Sequence, residues 1–201
     1  MQVTLVDYTE NAEQKIATYS ALCYGAKTDE ESNERRIAHL LKLGHLSTLR
    51  FASATFLIGN ISRACSHQLV RHKFLDYLQE SQRYVEQDKI RFINPFQHAT
   101  KEHAEFQKSV IDSLISYKRL RGMGVAKEDA RLVLPQASPT KLYVAGNFQA
   151  WKDFLSLRQS KKAQWELREV ANLIAIELHN IAPTIFKEEY ETAWKTENMP
   201  S

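Results

Sequence analysis

The chain of 201 residues is poor in cysteine, glycine and proline, with two, six and five of them. Cys23 and Cys65 lie far apart and form no C-x-x-C pair, so neither a disulfide framework nor a thiolate zinc site is expected, and reduced thiols are the default. None of the seven histidines pairs at H-x-x-x-H or H-E-x-x-H spacing, which argues against a zinc enzyme. There is no G-x-G-x-x-G and no G-x-x-x-x-G-K-[ST], so a dinucleotide, if bound, is held outside the Rossmann and P-loop modes. No run approaches the ~20 apolar residues that cross a bilayer, and MQVTLVDYTE carries acid where a secretory leader needs base and then an apolar block. The expectation is a cytoplasmic protein with no membrane partner. Internal repeats, low-complexity tracts and linkers rich in Gly, Pro or Ser are also missing.

What is present is a composition of 43% hydrophobic and 10% aromatic residues, enough to bury a core and to fit one domain over residues 1–201 better than two. A net charge of +3 suits a small anionic ligand as well as it suits nucleic acid. The basic residues are spread along the chain rather than gathered in a run, which disfavours a nucleic-acid partner.

Alternation over residues 2–8 predicts a strand, and the run FASATFLI over 51–58 a buried one. Helices are expected over 11–23 and over 29–43, the second capped by Thr28, with Ile37, Leu40 and Leu41 on one face and Gly44 at its end. ISRACSHQLVRH, 61–72, reads as helical, and SQRYV from Ser81 returns to strand-like composition. A longer amphipathic helix covers 98–120 with Val110, Leu114 and Ile115 inward, and two more cover 147–158 and 161–181, the last closed by Pro183. The fold class is α+β.

Three segments gather groups that bind anions. If 61–72 is helical, Gln68, Arg71 and His72 share a face at i, i+3 and i+4, while Ser81 and Arg83 point one way from an extended backbone. Guanidinium forks beside a hydroxyl make a cradle for phosphate, and the apolar residues between them can wall a flat ring. The competing reading pairs Arg71 and Arg83 with Asp76, Glu80 or Glu86 on the surface, the commoner fate of an arginine taken blindly. In NFQAWKDFLSLR, Asn147, Trp151, Phe154 and Arg158 form one stripe, with Gln149 and Asp153 opposite; an amphipathic core helix with Arg158 reaching out is the equal alternative. Arg131 sits in an apolar run and needs a partner if buried, which an internal acid or a bound nucleotide would supply. Cys65 and His67, at i and i+2, diverge on a helix, so a core cysteine is favoured over a nucleophile.

Arg71-His72, then seven residues after Lys73, then Ser81-x-Arg83, resembles the RHR, seven residues, SxR signature of flavin-dependent thymidylate synthases. GHLS at 44–47, ARLVLP around Arg131, the helix that opens at Asn147 and LRQSKKAQWELR at 157–168 resemble further blocks of that family in the same order, so the resemblance spans roughly residues 1–187. It implies a single α+β domain with a mixed sheet and several helices, a flavin-binding fold of non-Rossmann type. It further implies synthesis of thymidylate from deoxyuridine monophosphate (dUMP), with methylenetetrahydrofolate as carbon donor, FAD as hydride source and NADPH as reductant, in a homotetramer with flavin between subunits. By position, Ser47, Arg71, His72, Lys73, Gln79, Asn147, Gln149 and Asp153 correspond to flavin contacts. Gln68, Arg71, Gln79, Glu80, Ser81, Gln82, Arg83, Arg131 and Arg158 correspond to nucleotide contacts, and Arg158 to the arginine that polarises the uracil ring. No cysteine nucleophile is implied.

The sequence departs from the family pattern at Lys73, Asp76, Leu78, Arg50-Phe51, Gln149 and Lys162. These positions bear on flavin affinity more than on reaction type. The alternatives are a related flavin-dependent enzyme modifying C5 of another pyrimidine nucleotide, and a non-catalytic nucleotide- or nucleic-acid-binding paralogue.

Overall fold

A computed structural model describes residues 1–198. Its order is β1 (Gln2–Tyr8), α1 (Ala12–Leu22), α2 (Glu30–Lys42), a 3-10 turn (Leu46–Phe51), β2 (Ser53–Ser62), α3 (Arg63–Leu69), β3 (Leu75–Gln79), α4 (Lys101–Gly122), α5 (Lys127–Ala130), a second 3-10 turn (Arg131–Val133), β4 (Pro139–Asn147), α6 (Phe148–Arg158), α7 (Trp165–Ile181) and α8 (Lys187–Asn198). The α+β class is found. The strands lie in the order β1-β2-β4-β3, and every pair is antiparallel, so the expected mixed sheet is replaced by a purely antiparallel one.

One face of this sheet is buried and the other open, as the period of two allows. Ala54, Phe56 and Ile58 of β2 and Leu142 and Val144 of β4 point into the core. Trp151, Phe154 and Leu155 of α6 and Val170, Ile174 and Leu178 of α7 cover them. Phe56 meets Trp151 edge-on at 5.1 Å, and the Trp151 indole N–H donates to the Ala54 carbonyl at 3.0 Å, so the largest core ring is also satisfied as a donor. Burying each such side chain fully stabilises the fold by roughly 1.5–3 kcal/mol.

Gly146 is needed where β3 meets this layer, because a Cβ there stands 2.2 Å from Cδ2 of Leu75. Leu75 pairs with Gly146, so the segment entering β3 lies beside the start of α6.

Several local expectations are corrected. The cap of α2 is Asp29, not Thr28: its carboxylate accepts from the Ser32 amide at 2.9 Å, and the Ser32 hydroxyl accepts from the Asp29 amide in return. Helix α3 stops at Leu69, so of the supposed face Gln68, Arg71 and His72 only Gln68 is helical. SQRYV is a turn, closed by the Tyr84 and Val85 amides on the Ser81 carbonyl at 3.1 and 3.0 Å, and the strand precedes it as β3. Ile115 is exposed, and Tyr117 takes the buried place on α4. Beyond the span of the resemblance, α8 docks through Ala193, through Tyr190 stacked on His179 at 4.1 Å and through the largely buried Lys152–Glu189 pair at 2.6 Å.

Candidate active site around Arg158

Helix α3 is locked at its start. The Ser62 hydroxyl caps it by accepting from the Cys65 amide at 3.0 Å, and the buried Glu166 carboxyl of α7 accepts from the Ser62 amide at 2.6 Å and from its hydroxyl at 2.5 Å. Its end is fixed as well: the Tyr77 hydroxyl of β3 shares its one proton between the Leu69 carbonyl at 2.9 Å and the His72 carbonyl at 3.1 Å. Burial pushes the Tyr77 phenol up to about 12, so it stays a donor. This clamp places the turn that carries Arg71, His72 and Lys73. Leu75 and Tyr77 face inward for the same reason that Phe74 and Leu78 stand 73% and 77% exposed.

Arg158 ends α6 beside that turn. Its Nε–H donates to His72 Nε2 at 2.8 Å, and Nη2 lies 3.5 Å from the Gln68 carbonyl. The His72 ring meets Phe154 edge-on at 4.9 Å. Burial and the Arg158 charge hold the His72 imidazole down to about 4, so it is neutral at ordinary pH. Next to this group, Gln79 Nε2 donates to Ser66 Oγ at 2.9 Å and to Thr140 Oγ1 at 3.0 Å. Both donor sites of its amide are thereby used inside the protein, and its Oε1 remains an acceptor.

A second basic group adjoins β3. Arg63, half-buried at the start of α3, has a 3.5 Å contact from Nη1 to the Glu80 carbonyl, and both burial and the charge of Arg131 lower its pKa. Sequence reasoning missed Arg63, which carried no motif of its own. Arg131 is half-buried and donates through Nε to the Glu128 carbonyl at 3.1 Å, so a backbone oxygen, not an internal acid, is its partner. Arg83 pairs with Glu128 at 2.8 Å, both side chains about half exposed. That is a surface pair of the kind the competing reading describes, with a different acid. Arg71 and Lys73 are exposed and make no ion pair among the described residues. Glu80 pairs with Lys141 at 3.1 Å, Ser81 is half-buried, and Gln82 is buried with its Nε2 unpartnered among the described residues.

The remaining candidates cluster at the other end of α6. The Asn147 carboxamide oxygen caps the helix by accepting from the Ala150 amide at 2.9 Å. Gln149 donates to Asp153 at 2.9 Å on the outer face, and Ser47 is exposed on the 3-10 turn packed against α6. None of the four is hydrogen-bonded to the Arg158 group among the described residues. Trp151 and Phe154 are fully buried, so on that stripe the core-helix reading holds, with only its two ends, Asn147 and Arg158, partly exposed. Cys65 is buried and its thiol pKa is raised by burial and by Glu166, the state of an inert core cysteine. Among the described residues no cluster of metal-binding side chains occurs, and no helix is long and apolar enough to cross a membrane.

The residues around the end of α3 and around β3 suit a flavin and a nucleotide by their chemistry. They offer exposed cations without carboxylate partners, a buried orphan donor at Gln82, a fixed amide acceptor at Gln79, and exposed apolar side chains beside them.

Comparison with known proteins identifies the family. The family model described as thymidylate synthase complementing protein matches residues 4–184. A flavin-dependent thymidylate synthase of Pyrococcus furiosus is 37% identical over 185 residues, covering 85% of this chain and 76% of that protein. One from Geobacter sulfurreducens is 36% identical over 200 residues, covering 94% and 86%. The solved structure of a UMP/dUMP methylase from Streptomyces cacaoi, bound with 5-Br dUMP, shares the fold with a TM-score of 0.78 at 24% identity, covering 92% of this chain and 93% of that one. With a matched span that runs from β1 to the end of α7, the chain belongs to the thymidylate synthase complementing protein family, that of the flavin-dependent thymidylate synthases.

Proposed function

We propose that this protein makes thymidylate from dUMP as a single-domain cytoplasmic enzyme, using FAD, with methylenetetrahydrofolate as carbon donor and NADPH as reductant. The observation that carries the reading is the meeting of two distant stretches of chain, Arg158 at the end of α6 with His72 and the Gln68 carbonyl at the end of α3. In the net reaction C5 of the pyrimidine gains a methylene carbon and loses its proton, and the methylene becomes a methyl by gaining a hydride. The flavin, when bound, supplies that hydride.

The chain's own residues supply charge and geometry. The free end of the Arg158 guanidinium is suited to the ring nitrogen and carbonyl of the pyrimidine, where negative charge builds as C5 is activated. Gln79 Oε1 is suited to accept the N–H of an imide ring, a group that uracil and isoalloxazine share. Arg83, Ser81 and Arg131 are assigned to the nucleotide phosphate, with Glu80, Gln82 and Gln68 lining the same site. Exchanging the exposed Arg83–Glu128 pair for a phosphate costs little, since such pairs contribute about 0–1 kcal/mol. Arg71, Lys73 and His72 are assigned to the flavin, together with Ser47, Asn147, Gln149 and Asp153.

A homotetramer is part of the proposal. Leu57, Tyr143 and Leu78 are aligned across the open face of the sheet, and Phe74, Tyr84 and Leu157 are exposed near the cations. Further copies of the chain would cover these surfaces and complete a flavin site between subunits.

The test is turnover with FAD, NADPH, methylenetetrahydrofolate and either dUMP or UMP, read by product mass. Thymidylate from dUMP is expected. A methylated ribonucleotide, or no nucleotide product with flavin bound, contradicts the reading.

A further inference from the structure

The geometry points to His72 as the positioning residue that aims Arg158, a role that rests on the thymidylate reading for its catalytic meaning but not for its structural content. We propose that the neutral His72 Nε2 accepts the Arg158 Nε–H and so leaves the guanidinium's two-pronged end free for the pyrimidine ring.

The argument starts from the shape of the guanidinium. Nε and Nη2 lie on one long edge of its plane, while Nη1 and Nη2 form the end. In this structure the long edge is the one in use: Nε on His72 at 2.8 Å, and Nη2 in a weak contact with the Gln68 carbonyl at 3.5 Å. The outer N–H groups of the end therefore remain for a ligand, in the fork geometry that matches an N–C=O unit.

An imidazole nitrogen that accepts from an arginine carries no proton, so His72 holds its proton on Nδ1. A cation there would confront Arg158 directly, and burial adds to the penalty, which is why the imidazole is held down to about 4. Arg158 is the charged group facing the ring from α6. Phe154 supplies an apolar edge at 4.9 Å, β3 contributes the Tyr77 hydroxyl on the His72 carbonyl, and Arg71 and Lys73 flank it in the chain. No carboxylate is hydrogen-bonded to the ring among the described residues. With ring and backbone both held, the imidazole is a rigid acceptor, and Arg158 loses little entropy when a nucleotide arrives.

Two measurements test this. In the full-length protein labelled with 15N-histidine, assigned with His72→Gln, the His72 Nε2 is expected to resonate as unprotonated and Nδ1 as protonated from about pH 8 down to about pH 5.5, without the transition near about 6.5 of a free histidine. The opposite tautomer, or an imidazolium at neutral pH, overturns the proposal whatever the enzyme's substrate. In turnover at saturating FAD, because His72 is also assigned to the flavin, His72→Gln, whose Oε1 reaches the place of Nε2, is expected to lose no more than about tenfold in kcat. His72→Phe, which keeps an aromatic ring against Phe154 but removes the acceptor, is expected to lose kcat on the order of 10²-fold with dUMP affinity nearly unchanged. Equal kcat for the two variants, with thermal melts showing both folded, contradicts the positioning role. A wild-type protein that makes no thymidylate would count against the functional reading alone, and the tautomer measurement would still decide the geometry.

Discussion

Arg158 is the residue to which the proposal assigns activation of the ring, and its setting separates two kinds of loss. Arg158→Ala removes charge stabilisation that is strongest as the ring is activated. We expect kcat to fall by about 10²–10³-fold, with dUMP binding weakened but measurable by calorimetry. Near-normal kcat would remove Arg158 from the reaction. Cys65 offers the contrary case. Buried and with its thiol pKa raised, it has no role in turnover, so Cys65→Ala should retain full kcat while losing about 1 kcal/mol of stability from the small cavity left behind. His72 links chemistry to stability. Its folded value of about 4 lies below the ordinary value of about 6.5, so the unfolded chain takes up the proton first as pH falls. Stability from this group is complete above about pH 6.5 and is lost progressively toward about pH 4. The melting temperature should therefore drop between pH 7 and pH 5 by more in the wild type than in His72→Gln, which has no proton to gain. Residue types were legible from the sequence, whereas partnerships were not. His72 and Arg158 stand 86 positions apart, and no local pattern reports a hydrogen bond between them.

At the scale of elements, the site depends on how α3 is held at both ends. Tyr77→Phe removes the one hydroxyl proton shared by the Leu69 and His72 carbonyls, which close α3 and position His72. It should cost about 1–2 kcal/mol in chemical denaturation and weaken flavin binding more than it changes the fold. An unchanged flavin affinity would show that the turn keeps its place without the clamp. The helices were legible because their apolar periodicity matches the faces they bury, as Ile37 and Leu40 on α2 and Val110 on α4 show. Strand β3 was not, because it is five residues long and wedged between a turn with two charged residues and SQRYV, whose aromatic and β-branched content imitates a strand. Arg83 and Ser81 thus share a turn instead of a strand face. The antiparallel direction of the whole sheet was equally illegible, since β2 and β4 pair across a long excursion through β3 and α4. Glu166 is the clearest omission: one acid in an ordinary amphipathic helix proves to fasten the start of α3.

For the whole molecule, the open face of the sheet is the feature that a single chain leaves unfinished. Leu57, Tyr143 and Leu78 lie in one cross-strand row, and the exposed apolar side chains beside the cations add to it. If further copies cover this face, Tyr143→Glu should shift the mass seen by light scattering toward smaller species and reduce flavin retention in parallel. A variant that stays tetrameric and yellow would place the interface elsewhere. Family and fold class were readable from the ordered blocks that resemble the family, and the family model matches residues 4–184. The departures at Arg50-Phe51 and Asp76 lie on the surface, Phe51 against Tyr19 at 5.7 Å and Asp76 paired with Ala145 on the open sheet face. The most direct test of the account is a single anaerobic turnover of the reduced flavoprotein. The account predicts that the flavin is reoxidised only when dUMP and methylenetetrahydrofolate are both present, with one thymidylate formed per flavin, and that Arg158→Ala binds both ligands yet leaves the flavin reduced. Reoxidation at the wild-type rate in Arg158→Ala, or thymidylate formed without it, would contradict the account.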